Sequence, residues 1–353
     1  MMLRTLTAAL AALAFATSAH AHSADAPPGP MNMGLPPMPS LFNGQADRPG
    51  APVFTNLGAH KMPITTSNAQ SQDNFDQGEN LVIAFNHAEA IRSFREAARL
   101  DPACAMCWWG IAFALGPNIN MPMPDDAIAP ALFALEKAKA AAPGVSPREQ
   151  AWIAALDKRY AANETSDRAA LDVAFAEAMG GVVAAYPDDL DAATFYAEAM
   201  MDTQPWAYWE ADQVTPAGNT AKILATLEDV MNRAPEHPGA LHLYIHAVEA
   251  SLTPERAEAA ADRLAPLMPQ AGHIVHMPAH IYYRVGRYAD AVRANETAAK
   301  VDEDYIAQCR AQGFYPAGYY GHNIHFLWTA SEMEGRYAAA LDAANRLVTA
   351  VDA

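Results

Sequence analysis

The chain is predicted to be all-α, an α–α superhelix entered by an N-terminal extended arm, and three features of the sequence point there. From Asp73 onward apolar residues recur at spacings of three and four between Pro or Gly breaks, which is the helical period. No run of alternating β-branched residues is long enough to build a sheet. The helical segments also return with internal similarity, so that each unit would bury its apolar face against the next as a solenoid. With 353 residues, 52% of them apolar, the chain can bury a sizeable core.

Taken in order, residues 1–21 read as a secretory signal peptide. Arg4 supplies the positive start, Leu6 to Thr17 the short apolar run, and Ala19-His20-Ala21 the small-x-small cleavage pattern. The run is too short to span a membrane, and no later segment reaches the ~18 apolar residues that a span requires. An exported protein is therefore expected, periplasmic in a Gram-negative source, with His20 or His22 left near the mature N-terminus, where a free amine and imidazole chelate copper. Residues 22–72 are rich in Pro, Met, Gly and Asn without periodicity and read as an extended arm lying along the domain. In it Met31, Met33 and Met38 resemble the methionine clusters of exported copper proteins, a pattern shared with many Met-Pro tails that bind nothing.

Residues 73–353 form the helical repeat domain. Ser146-Pro147-Arg148-Glu149 marks one helix start, with an N-cap serine, proline in the first turn and glutamate completing a capping box. Three cysteines leave Cys309 alone and Cys104 and Cys107 as a Cys-x-x-Cys pair. That pair is a candidate local disulfide, redox pair or partial metal site, set against two small apolar residues packing beside Trp108 and Trp109. The chain stops at Ala353 inside what reads as a second helix with no polar capping helix after it, so further helices or a partner are expected there.

The stretch Glu89 to Pro102 followed by Trp108 resembles the tetratricopeptide repeat: Ala90, Phe94, Ala97, a helix-ending Pro102 and an aromatic residue beyond it. Gly286-Arg287-Tyr288 and Gly335-Arg336-Tyr337 look like the turns of two further units, and Tyr186-Pro187 and Ala234-Pro235 like the ends of others. The resemblance covers most of residues 73–353 and fits least between Pro130 and Gly180. Phe75-Asp76-Gln77-Gly78, Phe85-Asn86-His87, Trp109-Gly110 and Gly116-Pro117-Asn118-Ile119-Asn120, together with the histidine segments, are similar to a family of exported bacterial tetratricopeptide proteins without an established activity. That resemblance implies a fold and no reaction.

Seven of the twelve histidines lie in three short segments: His242 and His246; His273, His276 and His280; His322 and His325. From His242 to His276 is 34 residues, one repeat period, and the same shift carries His246 onto His280. His276 and His325 each stand ten residues before a Gly-Arg-Tyr turn and read as equivalent. Spacings of three and four share a helix face. The resemblance to tetratricopeptide proteins places that face on the concave groove, with Glu249, Tyr283 and Glu332 one turn further along. A single histidine on such a helix is ordinarily a hydrogen-bonded core residue; seven in register point to a shared surface.

Imidazole with little thiolate suits a transition metal ion, copper or zinc. His242, His246, His273, His276, His280, His322 and His325 are the candidate ligands. Glu249, Tyr283, Glu332 and His87 are candidates for ligand contact or support, although His87 beside Asn86 and Glu89 also fits a simple helix cap. Trp206 and Trp209 read as groove wall or core. Two other occupants suit the groove: a peptide or small polar ligand bound without metal, and the substrate of a metal-dependent enzyme. The net charge of −17 argues against nucleic acid and favours cations. The chain contains no Gly-rich phosphate loop, Gly-x-Ser-x-Gly elbow or His-Glu-x-x-His helix.

Overall fold

The computed structural model describes residues 33–161 and 167–351. Among them no strand forms; the nearest approach is two isolated bridges, Asn118 with Met121 and Trp209 with Pro216. Helices follow as successive pairs: α1 (Ala69–Ile83) with α2 (His87–Leu100), α3 (Ala105–Ala114) with α4 (Ile128–Ala141), α5 (Pro147–Leu156) with α6 (Arg168–Ala185), and α7 (Leu190–Asp202) with α8 (Thr220–Arg233). Then come α9 (Pro238–Val248) with α10 (Glu258–Leu267), the interrupted α11 (Gly272–His276) and α12 (Pro278–Arg284) with α13 (Tyr288–Cys309), and α14 (Gly321–Met333) with α15 (Tyr337–Val351).

Composition sorts these helices into two layers. All of α3 and α9, and all of α7 beyond its first two residues, are buried. Helices apolar or small on every side belong inside. The second helices of the pairs, such as α8, bury one stripe: Ile223, Leu224, Leu227 and Val230. The superhelix curls until α1 of the first pair meets α9, four pairs further along. That closure, which the 34-residue period does not contain, makes an interior out of the concave face.

Three pair turns are built alike. Arg287 and Arg336 donate their amides five residues back, to Tyr282 and Ser331 at 2.8 and 2.9 Å, with Gly286 and Gly335 at φ 80° and 72° between. This is the αL helix ending that glycine favours. The first turn repeats the bond, Asn86 to Leu81 at 2.8 Å, with Phe85 held at φ 58° in the glycine position.

The described part of the arm, from residue 33 on, lies along the domain, and it does so through polar contacts. Gln45 is buried and donates to Glu89 at 2.7 Å and to the Tyr305 hydroxyl at 3.1 Å. Arg48 donates to the carbonyls of Cys309 and Arg310 that end α13. Asn56 exchanges bonds with Gln270, and Thr65 donates to Glu149. Met38 is buried in the core and Met33 packs against it, so these two are hydrophobic anchors rather than an exposed methionine cluster. Met31, His20, His22 and residues 1–21, expected to be a signal peptide, lie outside the described residues.

Cys104 and Cys107 form a disulfide at the first turn of α3, with both residues fully buried. The bond takes both thiolates away as metal ligands, and it ties the start of α3 locally. The capping box at Ser146 and Glu149 is present as predicted.

Candidate metal centre

Six of the seven predicted histidines meet in the interior, as two groups of three: His242, His246 and His273, and His276, His280 and His322. Each group draws on two segments, α9 with α11 and α11–α12 with α14. His242 and His246 project from α9 one turn apart, with ring centroids 4.9 Å apart. Pro278, expected to disturb the helix between His276 and His280, breaks it gently. Met277 keeps αR geometry and Pro278 takes the first position of α12, where its missing N–H costs nothing. The rings of His276 and His280 stay 4.7 Å apart.

The outward nitrogens are held by fixed acceptors. His242 Nδ1 donates to the carbonyl of Ile83 at 2.8 Å, His246 Nδ1 to Glu249 Oε1 at 3.0 Å, His280 Nδ1 to Glu249 Oε2 at 2.5 Å and His276 Nδ1 to Asn295 Oδ1 at 2.6 Å. With these Nδ1 protonated, the Nε2 atoms of neutral rings carry lone pairs that face inward. The Nε2 atoms of His242 and His273 stand 3.1 Å apart, and those of His280 and His322 3.3 Å. His246 Nε2, His276 Nε2 and His273 Nδ1 are buried with no hydrogen-bond partner. A tetrahedral ion with Zn–N bonds of ~2.0 to 2.1 Å separates its donors by ~3.3 to 3.4 Å. The close Nε2 pairs match such an edge, and an ion would satisfy the orphaned nitrogens of His246 and His276. The residues present fit a transition metal ion in each group.

Burial, and in all five the neighbouring rings, press His242, His246, His273, His276 and His322 toward the neutral form. Burial lowers the pKa of His242, His273 and His276 well below the ordinary value, and the neighbouring histidines lower it further. His322, only partly buried, is brought down to about 3 by desolvation and then by His280. Burial of Glu249 favours its protonated form, but His280 and His246 outweigh that and hold the carboxyl well below its usual range. One carboxylate thus orients one ring of each group, a supporting role of the kind metal-bound histidines use.

The cluster is covered, not open. Phe85 lies tilted 4.7 Å from His242 and stacks on His273 at 5.3 Å, Trp206 meets His246 edge-on at 5.4 Å, and Phe326 lies 4.5 Å from His280. His242, His246 and His273 are at most 2% exposed. The expected open groove is replaced by a buried centre, because α1 closes onto α9 and delivers Phe85 as a lid.

Several sequence-predicted positions fall elsewhere. His325 is exposed and packs on Trp328 at 5.7 Å, and His322 takes the place its register predicted. Counting back from the glycine turn presumes the same unbroken helix in both units. α14 is continuous, whereas α11–α12 is interrupted at Met277–Pro278, so His276 and His325 do not share an azimuth. Glu332 is exposed on α14, and Tyr283 packs on Tyr288 and Phe326 at the margin. His87 is buried, receives Asn118 Nδ2 at 3.2 Å and caps nothing; burial pushes its pKa down to about 4. Trp209 donates to the carbonyl of Ala247 at 2.8 Å and so braces α9.

Two contributors were not singled out as site residues from sequence. Asn295 sits in α13 and has only one hint, an amide among the buried small residues Ala291, Ala298 and Ala299. Phe85 had a clearer signal, since it occupies the position that Gly286 and Gly335 fill in the other turns. No protein-family model matches the chain, and no curated protein matches it.

Proposed function

We propose that this is an exported, tetratricopeptide-like metal-binding protein whose interior holds two adjacent three-histidine sites for copper or zinc. The observation that carries the reading is the convergence of six imidazoles in two groups of three, four of them held by an acceptor at Nδ1, with buried nitrogens of His246, His273 and His276 left without a hydrogen-bond partner. Glu249 ties the two groups together. The buried Cys104–Cys107 disulfide supports an oxidising compartment, as an exported protein would meet. The Gly-Arg-Tyr turns and the helix pairing support the tetratricopeptide-like build.

Protein purified without a histidine tag should carry about two equivalents of transition metal in the interior, or take them up there on titration. His246→Ala and His276→Ala should each remove about one equivalent and together abolish uptake in the interior. Protein that retains no metal at either group and takes none up there on titration would end the reading. A metal-dependent enzyme is the second reading, favoured by the ligand count: three protein donors per group leave a position for water or substrate, as in catalytic zinc sites.

A further inference from the structure

A different cluster stands on the wall of a cavity of about 1150 Å³, framed by the arm, the α6–α7 turn and the α8–α9 turn. His60 of the arm directs Nε2 at Asp191 Oδ1, 3.1 Å away, and at Glu79 Oε1, 3.7 Å away. Asp191 lies in the first turn of α7 and Glu79 in α1. The Glu79 side chain is 2% exposed, and no hydrogen-bond donor reaches either of its oxygens. A buried carboxylate left without donors is costly unless a cation faces it.

His237 has a different part in this cluster. Its Nδ1 accepts the Ala240 amide at 3.3 Å and so caps α9, which leaves the proton of the neutral ring on Nε2. That Nε2–H donates to Asp191 Oδ1 at 3.1 Å. His237 therefore orients the Asp191 carboxylate and is not itself free to coordinate.

We propose that His60 Nε2, Asp191 and Glu79 form a third metal site, for a divalent first-row transition ion such as Zn²⁺ or Mn²⁺. The donor set of one imidazole and two carboxylates suits such an ion better than Mg²⁺ or Ca²⁺, which take oxygen ligands. Because His60 and Asp191 line the cavity, the remaining coordination positions face it and the ion exchanges with solvent. The His60 ligand comes from the arm, so metal at this site also pins the arm to α1 and α7.

The test uses the full chain, stripped with a chelator and then offered Zn²⁺ or Mn²⁺ alone. A variant carrying both His246→Ala and His276→Ala should still bind about one equivalent. Glu79→Gln and His60→Gln should each weaken that binding by about tenfold or more. If Glu79→Gln does not fold, His60→Gln in the otherwise native chain gives the same comparison, since His60 lies on the arm. A native chain that binds only the ion lost with His60 would sink the interior reading and leave this one standing. An unchanged affinity in His60→Gln and Glu79→Gln would overturn the proposal. So would a His60 ring that nuclear magnetic resonance finds still doubly protonated at saturating Zn²⁺, because the cluster is then an ion pair between imidazolium and carboxylates.

Discussion

Phe85 keeps a backbone conformation that costs a side-chain-bearing residue about 1 kcal/mol, at a turn whose two counterparts use glycine. Its ring covers His242, His246 and His273, and burying a phenylalanine is worth about 3 to 5 kcal/mol against truncation. The second term wins. Phe85→Gly should relax the turn yet lower stability by about 2 to 4 kcal/mol in chemical denaturation, and it should speed metal exchange at the first group. A variant as stable as the native chain would show that the ring is no lid. Glu249 is the other decisive residue, because its two oxygens each hold one ring. Glu249→Gln keeps the shape but can accept from only one of them, so metal affinity should fall about 10- to 100-fold, measured by competition with a chromophoric chelator.

Among the elements, α11 is the one whose placement the site depends on most. It is a single turn and a half, too short to hold its own position. It is fixed at its start, where Gly272 lies so close to Asp302 of α13 that a Cβ would fall on the carboxylate. Asp302 also accepts from the Tyr315 hydroxyl at 2.8 Å and from Asn323 Nδ2 at 2.6 Å, so one buried side chain sets the start of α11 beside His273 and α14 beside His322. Gly272→Ala should push these apart: thermal unfolding should come earlier, and both groups should lose metal together. Loss from one group alone would mean that Asp302 does not couple them. The arm is the complementary element, an irregular segment that stays in place through side-chain bonds to the ends of helices. Arg48→Ala removes both its bonds to the last carbonyls of α13, and limited proteolysis should then cut first within the arm.

At the scale of the whole molecule, buried neutral imidazoles make stability depend on pH. His87 serves as the worked case: burial lowers its pKa to about 4, against 6.5 for an exposed histidine. A histidine whose folded pKa is depressed contributes its full stability above pH 6.5. The contribution is lost as pH falls from 6.5 toward 4, because the unfolded chain binds the proton first, and amounts to about 3 kcal/mol for this one group. His242, His246, His273, His276 and His322 act in the same direction. The metal-free protein should therefore lose melting temperature steeply below pH 6.5, and His87→Gln should reduce that slope by about one proton, or ~1.4 kcal/mol per pH unit. A flat profile across this window would mean that the imidazoles are already charged in the folded state.

What the sequence alone determined is local or periodic. The helical period, the absence of alternation, the capping box and the proline and glycine stops settled an all-α superhelix, since each is written within a few neighbouring residues. The one-turn spacing of His242 and His246 was legible for the same reason. Which histidines meet was decided only by the tertiary structure. His322 rather than His325 faces the interior because a helix break at Met277–Pro278 alters azimuth, and no register count includes it. Phe85 covers the cluster, and the groove becomes an interior, because α1 curls round to α9 from 150 and more residues away in the chain. His60 faces Glu79 and Asp191 only because the arm runs across α1 and α7. Helix geometry fixes neighbours up to a turn or two along the chain, whereas contacts between distant segments depend on how a whole superhelix closes, and that is a property of packing.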